Sequence, residues 1–466
     1  GTMRRTKIIA TIGPASDGPE ALAALVRAGL DVARLNTAHA SRETLERQLR
    51  GVRAAAEAAG RHVAVMLDLG GAKVRLGEVA PGTVLATGAR FELRSDGEPG
   101  DGHSASVGHA GLSADVTPGD RILIDDGRLE LRVTAVAPGL VHTEVEVGGP
   151  LSSRKGVNVP GVRLSVDGIT ERDLDTLAWA LDAGVDIVAQ SFVRSADDIT
   201  RLRAAMGERR IPIVAKIEKH EALEQLADIV AVADMVMVAR GDLGVETSPE
   251  EVPVAQRRIV AECRDAGTPV VVATQMLDSM TSAPRPTRAE ASDVANAIFD
   301  GVDAVMLSGE TAVGAHPVRV LETMDRIVRA AEATGIADLG PSSYPVTDVA
   351  AAVSRAACDL AGTLGLAAIV TVTQSGATAR SVAARRPLTP VLAATPDAAV
   401  ARSLAGVWGV QPMVIDPYET TDELVSAAVR AAAESGLARA GEQVAVTGGV
   451  AVHVIGSTDF VQVCTV

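Results

Sequence analysis

Aromatic side chains are almost missing from this chain: two Trp, two Tyr and four Phe make up 2% of its 466 residues. Proteins that hold single-stranded nucleic acid stack bases on such rings, and nucleic-acid binders in general present a basic face. Here the formal charge is −15 and the pI is near 5.1, so no nucleic-acid partner is expected. Cysteine is nearly as scarce. Cys263, Cys358 and Cys464 lie far apart without metal-ligand spacing, and they read as buried thiols of a reducing compartment. No apolar run is long enough to span a bilayer, so no membrane partner is expected either. Gly1-Thr2 ahead of Met3 reads as a remnant of expression, no signal-peptide pattern follows, and a cytoplasmic location is expected. The first strand also lacks a Gly-rich phosphate turn. Ile12-Gly13-Pro14-Ala15 stands there instead, which counts against an open dinucleotide-binding sheet.

What is present is a rhythm. Hydrophobic residues make up 47%, enough for about two or three globular domains at this length. The run Met235–Ala239 has the pattern of a strand buried on both faces, and it stops at Arg240-Gly241-Asp242. Such a stop delivers a polar cluster to the rim of a sheet or barrel, although an ordinary salt-bridged loop has the same composition. The pattern recurs. Lys7–Ile12, Asp31–Asn36 and Val63–Gly70 alternate with helical spacing at Gly18–Gly29 and Ser41–Ala59. After helix Thr170–Ala183 come Val185–Phe192, Ile211–Glu218, Met235–Asp242, Pro269–Met276 and Asp303–Glu310, each ending in polar residues. Eight βα units predict a closed (β/α)8 TIM barrel, with these strand ends on its active face.

Residues 72–160 break the rhythm with alternating β segments, the hairpin-like Asp125-Asp126-Gly127 and no helical periodicity. They predict an all-β domain inserted between the barrel segments 1–71 and 161–338. Residues 339–466, with strands at Ala367–Val372, Val391–Ala394, Met413–Ile415, Gln443–Thr447 and Phe460–Thr465, predict a C-terminal α/β domain.

The strand ends suggest chemistry. Lys216 and Glu218 share a strand face. With Asp242 from the next strand, Glu218 forms a two-carboxylate site suited to Mg²⁺ or Mn²⁺, and Arg34, Lys216 and the metal would converge on an anion. An internal Lys–Glu pair that merely fills the barrel is the alternative. Thr274 either bonds a substrate carboxylate or passes a proton as a catalytic residue, or is a plain β-branched strand residue, and Ser292 and Ser308 carry weaker signals. In the last domain Thr373-Gln374-Ser375-Gly376-Ala377-Thr378 joins a strand to a helix. It is a phosphate cradle or a simple capping turn, with Thr373, Ser375, Gly376 and Thr378 as candidates.

Several runs resemble one family, pyruvate kinase, almost end to end: Thr11–Ser16, Lys155–Asn158, Lys216–Glu218, Met237–Glu246, Ala273–Leu277, Pro284–Glu290, Ser292–Asn296 and Met306–Thr311. The resemblance implies phosphoryl transfer between phosphoenolpyruvate and ADP, giving pyruvate and ATP. It implies a homotetramer, a phosphorylated allosteric effector and a β lid over the barrel. It assigns the divalent metal to Glu218 and Asp242, and stabilisation of the enolate to Lys216. Phosphoenolpyruvate contacts fall to Arg34, Gly241, Asp242 and Thr274, and nucleotide contacts to His39, Arg75 and Lys155. Departures cluster at Thr37, Ala38, Ala40, Leu69, Gly70, Ala72 and Lys73. Ala38 lacks a hydroxyl that in relatives helps hold K⁺ beside Asn36 and Asp68. Lys73 stands where K⁺-dependent members carry Glu, so a tethered ammonium is expected to replace K⁺. Two other readings remain: a catalytically weak, ligand-sensing paralogue, and a metal-dependent aldolase or lyase that forms a pyruvate enolate.

Overall fold

The computed structural model describes residues 3–38, 40–336, 339, 342–449 and 457–466. Eight parallel strands close a barrel: β1 (Lys7–Ile12), β2 (Val32–Asn36), β3 (Ala64–Leu69), β4 (Ile187–Gln190), β5 (Ile213–Ile217), β6 (Met235–Ala239), β7 (Val270–Ala273) and β8 (Ala304–Leu307). Each pairs with its neighbours in chain order, and β8 closes on β1. Both faces of these strands are buried, which is why they read as continuous apolar runs rather than alternating ones. Outward residues such as Ile8, Leu35, Leu67 and Val238 pack under the surrounding helices. Inward residues, among them Ile9, Val32, Met66, Val214, Met237 and Met306, fill the lumen. Two residues further along the same inward faces come Thr11, Arg34, Asp68 and Lys216. The period of a strand therefore lifts the polar set above the apolar plug.

The helix after the inserted domain, Glu171–Ala183, is fixed at its start by a capping box. Thr170 Oγ1 accepts from the Asp173 amide and the Asp173 carboxylate accepts from the Thr170 amide. Thr170 is therefore a cap rather than the first helical residue.

The inserted segment is a six-stranded sheet, from Arg90–Arg94 to Val157–Asn158, with a separate pair Val84–Leu85 and Gly149–Pro150. Its apolar cluster runs from Val74 to Leu164. Asp125, Asp126 and Gly127 all take positive φ between two antiparallel strands, as the hairpin expectation required. One short helix, Leu112–Asp115, does occur here, too brief to show periodicity. Its Asp115 carboxylate accepts from the amide and hydroxyl of Ser165 and bonds His109 Nε2, which ties it to the segment returning to the barrel.

The C-terminal sheet has β9 (Ile369–Val372), β10 (Val391–Thr395), β11 (Val410–Val414), β12 (Gln443–Gly448) and β13 (Phe460–Thr465) in the order β11-β10-β9-β12-β13. Only β13 is antiparallel to its neighbour. This unit seals the floor of the barrel. Ala405 joins the lumen cluster, and a Cβ on Gly406 would lie 3.3 Å from Met235 Cε. No helix among the described residues is long and apolar enough to cross a membrane.

Candidate active site

At the C-terminal rim of the barrel lies an open cleft of about 340 Å³. Arg34, Asn36, Asp68, Lys73, Arg75, Lys216, Glu218 and Asp242 all line it, although they come from distant stretches of chain. At its centre the Lys216 ammonium contacts both Asp68 oxygens, at 3.2 and 3.1 Å, and Glu218 Oε1 at 3.3 Å. Arg34 Nη2 lies 2.7 Å from Asp68 Oδ2, and Arg34 Nη1 donates to Thr11 Oγ1 at 2.9 Å. Glu218 sits just past β5, where its Oε2 accepts from the Phe192 amide at 2.6 Å. Asp242 is in the first turn of a short helix, Arg240–Glu246, so the polar stop after β6 is helical rather than a loop.

These groups set each other's charge. Burial alone would favour a neutral Lys216, but Asp68 and Glu218 outweigh it and its pKa rises. Burial likewise pushes against an ionised Asp68, and Lys216 and Arg34 reverse it, so that pKa falls. Glu218 goes the other way. Desolvation dominates, Lys216 opposes it, Asp242 and Asp68 add like-charge repulsion, and the pKa is pushed up to about 7. A hard cation between Glu218 and Asp242 would counter that push, and two carboxylate oxygen donors would suit Mg²⁺ or Mn²⁺, ions that complete their shells with substrate and water. Among the described residues, no group of three or more His, Cys, Asp or Glu is arranged to hold a metal.

Thr274 and Gly241 meet each other. The Gly241 amide donates to Thr274 Oγ1 at 2.8 Å. Thr274 and Gln275 adopt φ of +70° and +56°, a left-handed conformation that a β-branched residue tolerates poorly, at roughly 1–3 kcal/mol. Arg240 holds this turn: its guanidinium donates to Thr274 O at 2.6 Å and grips Asp293 through both carboxylate oxygens.

Lys155 is not part of the cleft lining. It stands 3.6 Å from Asp125, beside the segment through which the chain returns to the barrel. His39 lies outside the described residues. Ser191 was missed. It accepts from Lys216 at 3.0 Å and donates to Asp68 at 3.1 Å, and its only sequence signal was a polar residue ending the run before Phe192. Arg172, also unanticipated, lines the cleft and donates to Thr37 O.

In the C-terminal unit, Thr373 Oγ1 accepts from the Gly376 amide at 2.7 Å, and Thr378 Oγ1 is 2.6 Å from Thr458 Oγ1. The Thr373 hydroxyl closes the turn, whereas that of Thr378 ties the helix after it to Thr458. Ser375 lines a separate cavity of about 530 Å³ shared with the barrel, beside Arg203, Arg380 and Arg402.

Residues 3–321 match the family model described as pyruvate kinase, barrel domain, and residues 351–464 that of pyruvate kinase, alpha/beta domain. The pyruvate kinase of Geobacillus stearothermophilus is 44% identical, covering 99% of this chain and 80% of the relative. That of Corynebacterium glutamicum is 44% identical, covering 99% and 97%. A crystal structure of a pyruvate kinase from Cryptosporidium parvum superposes with a TM-score of 0.93 at 33% identity, over 99% of this chain and 96% of that one.

Proposed function

The chain belongs to the pyruvate kinase family, and from that premise we propose how its residues divide the transfer of a phosphoryl group from phosphoenolpyruvate to ADP. The observation that carries the assignment is the convergence of Lys216, Arg34, Glu218 and Asp242 in one cleft at the strand ends. Glu218 and Asp242 would hold a divalent cation, Mg²⁺ or Mn²⁺, which when bound would supply positive charge for the anion that develops in the transfer. Lys216, kept charged by Asp68 and Glu218, meets the negative charge that grows on the enolate oxygen and the migrating phosphoryl group. Arg34 supplies a fork for phosphate oxygens, and the Asp242 and Gly241 segment with Thr274 orients the carboxylate. Arg75 on the cleft wall, with His39 and Lys155, serves the nucleotide. The inserted domain acts as a lid that excludes water.

Lys73 lies 3.8 Å from Asp242, so a fixed positive charge already stands in the cleft. We read it as the replacement for K⁺ near Asn36 and Asp68, consistent with Ala38 having no hydroxyl to offer. The C-terminal unit, residues 339–466, is the regulatory domain, with a phosphorylated effector at the Thr373–Thr378 turn, and the assembly is a homotetramer in the cytoplasm. The decisive experiment measures ADP-dependent pyruvate formation with Mg²⁺, with and without K⁺ at matched ionic strength. Equal rates are expected. Turnover only with K⁺ would remove the role given to Lys73, and substrate binding without pyruvate would favour a ligand sensor.

A further inference from the structure

The chain passes into the lid at residues 73–76 and returns at 155–158, and the two crossings pair. The Val157 amide donates to Val74 O at 2.8 Å, and the Leu76 amide to Lys155 O at 2.9 Å. At the centre of that crossing Lys73 lies along the backbone of Gly156. A Cβ on Gly156 would stand 2.7 Å from Lys73 Cε and 3.3 Å from its Nζ. Gly156 is not among the glycines with positive φ, so its conformation is open to any residue. What it lacks is needed for space, not for φ.

Resting on the reading of Lys73 as the built-in monovalent charge and Asp242 as a metal ligand, we propose that Gly156 is the positioning residue that lets Lys73 bring its ammonium to Asp242. A side chain at 156 displaces the far end of Lys73, which is flexible, and leaves the backbone pairing of the crossing in place. The lid stem and the cationic group thereby form one device: the charge reaches the cleft only across a bare stretch of the returning strand. An ammonium 3.8 Å from a metal-binding carboxylate also repels an incoming divalent cation, so its displacement has two effects of opposite sign. Metal binding tightens while K⁺-free turnover slows.

The test compares Gly156→Ala, Lys73→Met and the double variant, using K⁺-free turnover of phosphoenolpyruvate and Mn²⁺ titration calorimetry on the protein alone. Both single variants are expected to lose about tenfold in turnover, to bind Mn²⁺ more tightly, and to keep the wild-type unfolding temperature. The double variant is expected to match Lys73→Met, because one lost contact cannot be lost twice. Additive losses overturn the proposal, as does a Gly156→Ala protein with wild-type Mn²⁺ affinity. Weaker Mn²⁺ binding in Gly156→Ala also overturns it, since that marks general damage. If Lys73→Met itself behaves as wild type, the role of Lys73 falls, and with it any role for Gly156 in placing it.

Discussion

Asp68 is the residue on which the charge of the cleft turns. Its carboxylate takes Arg34, Lys216 and Ser191 at once while nearly inaccessible to water. That arrangement keeps Lys216 charged and aims it. Replacing Lys216 with Met leaves Asp68 with Arg34 and strips the cleft of its central donor. A fall in kcat of about 10²–10³ is expected, with the protein still folded. Ser191→Ala removes only a hydroxyl that touches Lys216 and Asp68, so a smaller loss, about tenfold, is expected, mainly in kcat. Steady-state kinetics on both variants separate the two roles. Wild-type kcat in Ser191→Ala would mean that Asp68 and Glu218 aim the ammonium without it. Lys216 and Glu218 were legible in the sequence because polar residues ending an apolar strand stand out. Ser191 was not, because a serine beside a turn announces nothing until the fold brings Asp68 to it across 123 positions.

The element that steadies the Thr274 turn is the helix Arg288–Asp300. It begins with a capping box in which Thr287 Oγ1 accepts from the Glu290 amide and Glu290 accepts from the Thr287 amide. Glu290 also accepts from the amide of Ser279, fastening the preceding 3-10 turn. One turn further on, Asp293 clamps Arg240, and Arg240 holds Thr274 in its unfavourable conformation. Thr287→Ala is expected to lower stability by about 1 kcal/mol with modest effect on turnover, as read by urea unfolding. Asp293→Ala is expected to free Arg240, relax the Thr274 turn and raise KM for phosphoenolpyruvate more than it lowers stability. An unchanged KM would show that the turn is held without the clamp. The helices and the barrel were readable because both follow local periodicity and caps. The clamp was not, since Arg240 and Asp293 are 53 residues apart. The conformation of Thr274 was equally hidden, because propensity predicts a strand for a β-branched residue and tertiary contacts override it.

At the scale of the whole molecule, the barrel floor and the C-terminal unit are joined through charges that had to be buried. Arg386 pairs with Asp303 at 2.8 Å, and Asp303 also accepts from the Trp408 amide. Lys7 at the start of β1 donates to Val410 O at 2.6 Å on β11. Burial dominates its environment. Asp31 offsets this only in part, Arg4 and Arg61 add repulsion, Glu332 adds a weaker attraction, and the pKa is held down to about 8. The unfolded chain keeps that proton until near 10.5, so between about 8 and 10.5 it binds more protons than the folded state. Stability at this site therefore rises with pH across that window, and below it the full cost of a buried ammonium is present, on the order of 3 kcal/mol for this shift. Lys7→Met removes the cost together with one hydrogen bond of about 1 kcal/mol, so the variant is expected to be more stable by about 2 kcal/mol at pH 7. That advantage should shrink through pH 8–10.5, cross zero inside that window and become a deficit of about 1 kcal/mol above it, the worth of the lost hydrogen bond, as followed by denaturant unfolding of both proteins across the range. A difference that stays constant with pH would show that Lys7 titrates as it does in the unfolded chain. The interface would then be held by Arg386 and Asp303 without any charge penalty at Lys7.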